Sequence, residues 1–189
     1  MNYRLFILSL FLISIGCNNE QMTHQEIVAK YYNALDSGNH NEIQAVISDS
    51  VTLVSGDYVT PYNRDSYYEF FQWDSIFIPS YKIIGAEEKN NGVIVTVAQK
   101  NVRNEFLKNN PLVYKVKVSF DSGKISKMED LEYIDVNWET WSHERDSLVS
   151  WIKNNHPELD GFVNDMTMKG AKDYLRAIEL FNLSQDNLR

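Results

Sequence analysis

Between residues 114 and 120 the chain alternates strictly between apolar and polar side chains. The two sets are Tyr114, Val116, Val118 and Phe120 on one side and Lys115, Lys117 and Ser119 on the other. A period of two residues places each set on its own face of a β-strand. The pattern therefore predicts an antiparallel sheet that is buried on one face and solvated on the other.

Further strands are predicted on both sides of this segment. They cover residues 51–54, 81–88, 93 toward 106 and 125–136. In the last of them the apolar phase slips between Met128 and Leu131, which predicts a β-bulge. Residues 56–61 are expected to form a loop, and Asn91-Gly92 is a strong signal for a hairpin turn.

Amphipathic helices flank these strands. The first begins at a capping box, in which the side chains of Thr23 and Glu26 bond each other's backbone amides. Further helices are predicted from Asn39, over residues 64–74 and after Asn137. The helix after Asn137 ends at a proline turn, and one more amphipathic helix follows. Helices grouped on one side of a bent antiparallel sheet make an α+β fold.

The start of the chain has the pattern of an export signal. Arg4 supplies a positive charge, residues 5–15 are almost wholly apolar, and the small Gly16 precedes Cys17. The apolar run is shorter than the about 20 residues that span a bilayer. A cysteine at the cleavage point resembles the signal of bacterial lipoproteins, although Ser14 stands where that pattern usually has Leu.

The resemblance to a lipoprotein signal implies that residues 1–16 are removed and that Cys17 is acylated. We therefore expect the protein in the bacterial cell envelope, lipid-anchored at the periplasmic face or in the outer membrane. Residues 17–22 would form a polar tether. The alternative is an ordinary cleaved signal that is followed by an incidental cysteine.

Composition excludes several classes of function. The 189 residues carry a net charge of −8 without a basic cluster, which disfavours nucleic-acid binding because phosphate contacts need a basic face. Cys17 is the only cysteine, so an intrachain disulfide and a site of several thiolates are excluded. The four histidines show no metal-ligand spacing. We expect neither a metal nor a cofactor.

A more specific resemblance lies near the start of the predicted fold. It is carried by Ile27-Val-Ala-Lys-Tyr31-Tyr-Asn-Ala-Leu-Asp36-Ser-Gly38-Asn39, by Ile43 and by Ser48-Asp49-Ser-Val-Thr-Leu53. These residues resemble the opening of the nuclear transport factor 2-like superfamily, which includes SnoaL-like proteins and ketosteroid isomerase. The resemblance implies a cone over residues 23–136, in which a curved sheet wraps against helices. Residues 137–189 would be a helical extension.

The resemblance also implies where catalytic groups would lie. In the isomerase branch a phenol on the first helix stabilises an enolate oxygen, and a carboxylate just after the first strand moves the proton. Tyr31 matches the phenol position. The carboxylate position falls at Ser55, which is not a base of that kind, and Asp57 follows two residues later. The strand over residues 112–120 lacks the second carboxylate of the oxyanion site. The alternative for Tyr31 is a core aromatic with a hydrogen-bonded hydroxyl.

Two further groups of residues are candidates for a site. The acidic run comprises Glu129, Asp130, Glu132 and Asp135. These carboxylates either do acid–base work inside the cone, with Asp130 as the candidate, or lie on its solvent face. The aromatic residues expected near the cone interior are Tyr31, Phe70, Phe71, Trp73 and Tyr114. Such walls suit an apolar or ring-containing ligand, and a filled cone without a cavity is the alternative.

Three hypotheses of function follow. The leading one is a non-catalytic, lipid-anchored cone that binds a small apolar ligand or a protein partner in the envelope. The second is a SnoaL-like isomerase, cyclase or hydratase that acts on a small ring-containing substrate through Tyr31 with Asp57 or Asp130. The third is an interaction module, in which the tail or the outer sheet face contacts another envelope protein or a second copy of the chain.

Overall fold

The computed structural model describes residues 22–90 and 92–186. The predicted signal peptide, the anchor at Cys17 and the residue Asn91 of the predicted turn lie outside this range. Within the described residues, no helix combines the length and the apolar character that crossing a bilayer requires.

Helices and strands follow one another in the order that the sequence patterns predicted, with two additions. The helices are α1 (His24–Asp36), α2 (His40–Val46), α3 (Arg64–Ser75), α4 (Val102–Phe106), α5 (Trp138–Asn155) and α6 (Met168–Asp186). The strands are β1 (Ile47–Ser55), β2 (Tyr58–Asn63), β3 (Ser80–Lys89), β4 (Gly92–Lys100), β5 (Leu112–Asp121) and β6 (Lys124–Ile134). Two short 3-10 turns, Pro157–Leu159 and Phe162–Asn164, lie between α5 and α6.

The two additions are β2 and α4. The prediction of a loop over residues 56–61 was wrong. Gly56 takes a left-handed φ of 57° in a tight turn, and the chain then runs back along β1 as the antiparallel strand β2. The strand expected to run toward residue 106 ends at Lys100 instead. Asn101 then caps a helical turn, since its side chain accepts a 2.6 Å hydrogen bond from the amide of Asn104.

The six strands form one sheet in the order β2-β1-β6-β5-β4-β3. Neighbouring strands are antiparallel except β1 and β6, which are parallel. The predicted bulge is confirmed in β6. Lys115 pairs with Glu132 while Val116 pairs with Asp130, so Leu131 is the extra residue. The bulge changes the phase of the strand, so that Asp130 and Tyr133 face the helices and Glu132 faces away.

The buried residues of the described chain form two hydrophobic cores. The first joins α1 and α2 to the sheet and includes Ile27, Ile43 and Val95. The second joins the end of α3 and α4 to the C-terminal helices, through Phe77, Leu107, Leu148, Ile152, Phe162 and Tyr174. Phe70 packs against both cores. The C-terminal helices therefore pack against the α3–α4 side of the cone by burying apolar side chains.

Gly170, in the first turn of α6, packs closely against the segment that precedes this helix. Its backbone lies so close to the carbonyl and side chain of Asp165 that a β-carbon has no room. Asp165 in turn accepts hydrogen bonds from the Thr167 amide and, through its carbonyl oxygen, from the Trp73 indole. The segment from Asp165 to Gly170 thereby holds the tail against α3.

We predict that Gly170→Ala destabilises the protein by roughly 1–3 kcal/mol, because the new methyl group displaces Asp165 and its partners. Urea denaturation followed by tyrosine and tryptophan fluorescence measures the change. Gly85→Ala is the matched control, since its added carbon would lie 3.6 Å from the nearest atom, an ordinary contact. Equal unfolding midpoints for the two variants would contradict this account.

Candidate functional site

A cavity of about 440 Å³ lies between α1, α3 and one face of the sheet. Eight of the eleven tyrosines of the chain line it: Tyr31, Tyr32, Tyr58, Tyr62, Tyr67, Tyr81, Tyr114 and Tyr133. Its volume falls within the roughly 300–1,000 Å³ that small-molecule pockets occupy. The cone is therefore hollow, and tyrosine is the most frequent residue in its wall.

The sheet register explains why so many side chains converge. Tyr114 on β5 pairs with Tyr133 on β6, and Tyr81 on β3 pairs with Gln99 on β4. Residues that pair directly across antiparallel strands point to the same face. All four of these side chains line the cavity. The helices α1 and α3 supply the opposite wall.

The aromatic residues that the sequence placed near the cone interior are all in this lining. They are Tyr31, Phe70, Phe71, Trp73 and Tyr114. Rings of neighbouring residues pack at angles typical of aromatic clusters, such as the edge-on contact of Trp73 with Phe77 at 5.0 Å between centroids. Their role in ligand binding remains a prediction.

Tyr31 and Tyr67 join α1 to α3 inside the cavity. Their hydroxyl oxygens are 2.5 Å apart, and both side chains are buried. Burial, followed by the nearby Tyr67, raises the pKa of Tyr31 well above its usual range. The phenol of Tyr31 therefore keeps its proton at neutral pH and can donate a hydrogen bond.

Asp130 reaches the same cavity from β6. Its Oδ2 accepts a 2.7 Å hydrogen bond from the hydroxyl of Tyr133, and that hydroxyl lies 3.5 Å from Ser55 Oγ. Burial raises the pKa of Tyr133 to about 12. Ser55, which occupies the position where the resemblance implies a carboxylate, is thus connected through the Tyr133 hydroxyl to a carboxylate from another strand.

The structure separates the remaining acidic candidates from the cavity. Asp57 lies in the exposed turn between β1 and β2 and is not among the lining residues. Glu129 pairs with Lys127 at 2.8 Å, and Glu132 pairs with Lys115 at 2.7 Å, on the outer face of the sheet. Tyr31 and Asp130 therefore share one site, and Asp57 does not join them.

A second carboxylate, which the sequence analysis did not single out, lies at the end of α3. Asp74 is only 8% exposed, and its Oδ2 accepts a 2.5 Å hydrogen bond from the hydroxyl of Tyr81. Gln99 Nε2 donates to the same hydroxyl at 3.0 Å. Burial raises the pKa of the Asp74 carboxyl, while Tyr81 and Arg103 oppose that effect. No local pattern marks Asp74, because it belongs to a helix whose other acidic residues, Asp65 and Glu69, are exposed.

The C-terminal part of the chain contributes to the rim of the cavity. Met166, between the second 3-10 turn and α6, is among the lining residues. The indole Nε1–H of Trp73 donates a 3.2 Å hydrogen bond to the Asp165 carbonyl oxygen, which fixes this segment beside α3. The tail therefore forms part of the site rather than a separate unit beside it.

Metal ligands are not grouped in the part of the chain that the structure describes. No three side chains of His, Cys, Asp or Glu lie close enough together there to hold a metal ion. The polar groups of the cavity are instead phenols, two aspartates, one glutamine and one arginine, together with the hydroxyls of Ser55 and Thr60.

Comparison with known proteins defines the fold of the chain. No family model and no curated protein matches its sequence. Among solved structures, IdmH, a proposed polyketide cyclase from Streptomyces antibioticus, matches with a TM-score of 0.50 at 14% identity. This match covers 65% of the present chain and 99% of IdmH.

A proposed ketosteroid isomerase from Kribbella flavida matches similarly, with a TM-score of 0.50 at 16% identity. The match covers 60% of the present chain and 79% of that protein. At such identities the likeness concerns the fold and not the activity. The chain therefore has a cone-shaped α+β fold like that of these two proteins, extended by C-terminal helices.

Proposed function

We propose that this chain is a lipid-anchored protein of the bacterial cell envelope whose cone binds a small, ring-containing and largely apolar molecule without transforming it. The observation that carries the proposal is the convergence of eight tyrosines on one cavity of about 440 Å³. Phenol rings offer broad apolar faces to a ligand ring, and their hydroxyls offer a few polar contacts.

The cavity chemistry favours binding over catalysis. The position that resembles the proton-transferring carboxylate is Ser55, and the carboxylate of Asp130 already accepts a hydrogen bond from Tyr133. A general base for proton abstraction from carbon must be free to reach the substrate. The paired state of Asp130 instead suits a fixed polar contact that orients a ligand.

Thr60→Trp tests the ligand site, because Thr60 lines the cavity from the exposed strand β2. We expect native mass spectra of the wild-type chain, extracted in detergent from its own envelope, to show an added mass of a few hundred daltons. The indole in Thr60→Trp fills the mouth of the cavity, and the added mass is expected to disappear.

Val59→Trp is the matched control for this experiment. Val59 is the neighbouring residue on β2, is exposed and does not line the cavity. The control variant should retain the added mass. A bare wild-type mass, or an added mass that survives Thr60→Trp, would count against a ligand in this cavity.

Acid–base catalysis on a ring-containing substrate is the second candidate, because Tyr31 and Asp130 line the same cavity. Under the leading proposal, we expect no exchange of deuterium into the carbon beside the carbonyl of 2-tetralone above the uncatalysed rate, as followed by NMR. Exchange above that rate, lost by roughly 10²–10⁴-fold in Asp130→Asn or Tyr31→Phe, would establish the enzyme instead.

Anchoring by lipid is the part of the proposal that rests on residues 1–17. We expect the chain to fractionate with membranes and to carry acyl chains on Cys17, since a single cysteine after an export signal offers one acceptor. Cys17→Ser should release the protein into the soluble fraction. Ser14→Leu should leave it in the membrane fraction, and release of both variants or of neither would refute the assignment.

A further inference from the structure

We propose that the molecule bound in the cavity carries one carboxylate beside its ring, and that the Arg103 guanidinium binds this carboxylate. The inference deepens the proposed function and rests on it. It names the chemical class of the ligand, an aromatic or alicyclic monocarboxylic acid, and the side chain that selects it.

The environment of Arg103 leaves its charge available. Arg103 lies on α4 and lines the cavity, and its Cζ is 4.8 Å from the centroid of the Trp73 ring and 5.2 Å from that of Phe77. Among residues 22–90 and 92–186, its guanidinium has no hydrogen-bond partner and no carboxylate within 4.0 Å. Contact with an aromatic ring uses none of the N–H donors of an arginine, so they remain available for a forked contact with a carboxylate.

Arg145, a second arginine in contact with an aromatic ring, has a carboxylate partner and therefore serves as a comparison. Its Cζ lies 4.7 Å from the centroid of the Trp141 ring. It also pairs with Asp146 at 2.8 Å on the surface of α5. The two arginines thus differ in whether a protein carboxylate takes the edge of the guanidinium, and the one without such a partner lines the cavity.

The nearby Asp74 does not take this role. Its Oδ2 is held by the Tyr81 hydroxyl at 2.5 Å, and burial outweighs Arg103 in setting its pKa, which is raised. Burial thus makes the charged form of Asp74 less favourable than that of an exposed aspartate. Asp74 also forms no ion pair with Arg103 within 4.0 Å, so the N–H donors of the guanidinium are not taken by this carboxyl group.

The phenols around Asp74 add no charge at neutral pH. They belong to Tyr31, Tyr67, Tyr81 and Tyr114, whose pKa values burial raises. Asp36, from α1, accepts a hydrogen bond from the Tyr81 amide at 2.7 Å. Arg103 is therefore the cation that this end of the cavity presents to a ligand.

The charge of the lining limits the ligand to a single negative charge. Arg103 is the only lysine or arginine among the lining residues in the described part of the chain. Asp130 lies in the same lining, and the whole chain has a net charge of −8. A phosphate dianion would need more than one cationic contact in such a field, whereas one forked Arg–carboxylate pair satisfies a monoanion.

The test uses a pair of probes that differ only in charge, 2-naphthoate and 2-naphthamide, titrated into the full chain in detergent by calorimetry. We expect the acid to bind at least about tenfold more tightly than the amide, because only the acid forms the charged pair. Arg103→Gln should abolish this preference, and Arg103→Lys should retain part of it. Arg145→Gln, the matched control, should keep the preference of the wild type.

Asp74 supplies a second measurement. A carboxyl group near Arg103 opposes the binding of a second carboxylate, so Asp74→Asn should bind 2-naphthoate at least as tightly as the wild type at neutral pH. The preference for acid over amide should remain in this variant, and its loss would contradict the assignment of that preference to Arg103.

Equal affinity of the two probes for the wild type, or an acid preference that survives Arg103→Gln, overturns the inference and leaves the proposed ligand cavity in place. Binding of neither probe at millimolar concentration also overturns it. The native mass spectrum described above needs no probe, so it decides the proposed function separately in that case.

Discussion

A buried phenol must satisfy its hydroxyl, and this requirement shapes the interior of the cone. Tyr31 pairs with Tyr67, Tyr81 pairs with Asp74, and Tyr133 pairs with Asp130. A buried polar group without a partner costs roughly 1–3 kcal/mol, so the first two pairs fix how closely the elements that carry them approach each other. These contacts tie α1 to α3 and α3 to β3 around a space that hydroxyl groups line. The interior therefore remains a polar-edged cavity instead of closing like an aliphatic core.

Much of the fold was predictable because the signals are local. The alternation in β5, the capping box at Thr23 and the slipped apolar phase near Leu131 each correspond to an observed element. The bulge also determines the face of the sheet on which each residue of the acidic run lies. That assignment can be made only once the register with β5 is known. Asp130 and Glu132, both polar in sequence, end on opposite faces because Leu131 is inserted between them. A pattern in one strand could indicate the bulge and could not say which carboxylate turns inward.

The aromatic residues that line the cavity could be predicted from the sequence, whereas the polar residues Asp74 and Arg103 at one end of it could not. Aromatic residues on the faces of α1, α3 and β5 indicate an interior by periodicity alone. Asp74 and Arg103 gain their surroundings from chain segments far apart in sequence, and Trp73 bonds a carbonyl 92 residues away. The strand expected to run toward residue 106 concealed the position of Arg103, because the Asn101 cap ends β4 and begins α4 instead. Such contacts depend on tertiary packing, which a single sequence does not display.

The position of Met166 has a thermodynamic consequence. Because the segment that anchors the tail also forms part of the cavity rim, a ligand that contacts Met166 has different free energies with the tail docked and undocked. Thermodynamic linkage makes this effect reciprocal. If docking of the tail raises the ligand's binding constant by some factor, binding of the ligand raises the equilibrium constant for tail docking by the same factor. A ligand that contacts Met166 would therefore change the free energy with which α5 and α6 stay packed against the cone. The stability of two helices that do not themselves contact the ligand would then depend on whether the cavity is occupied.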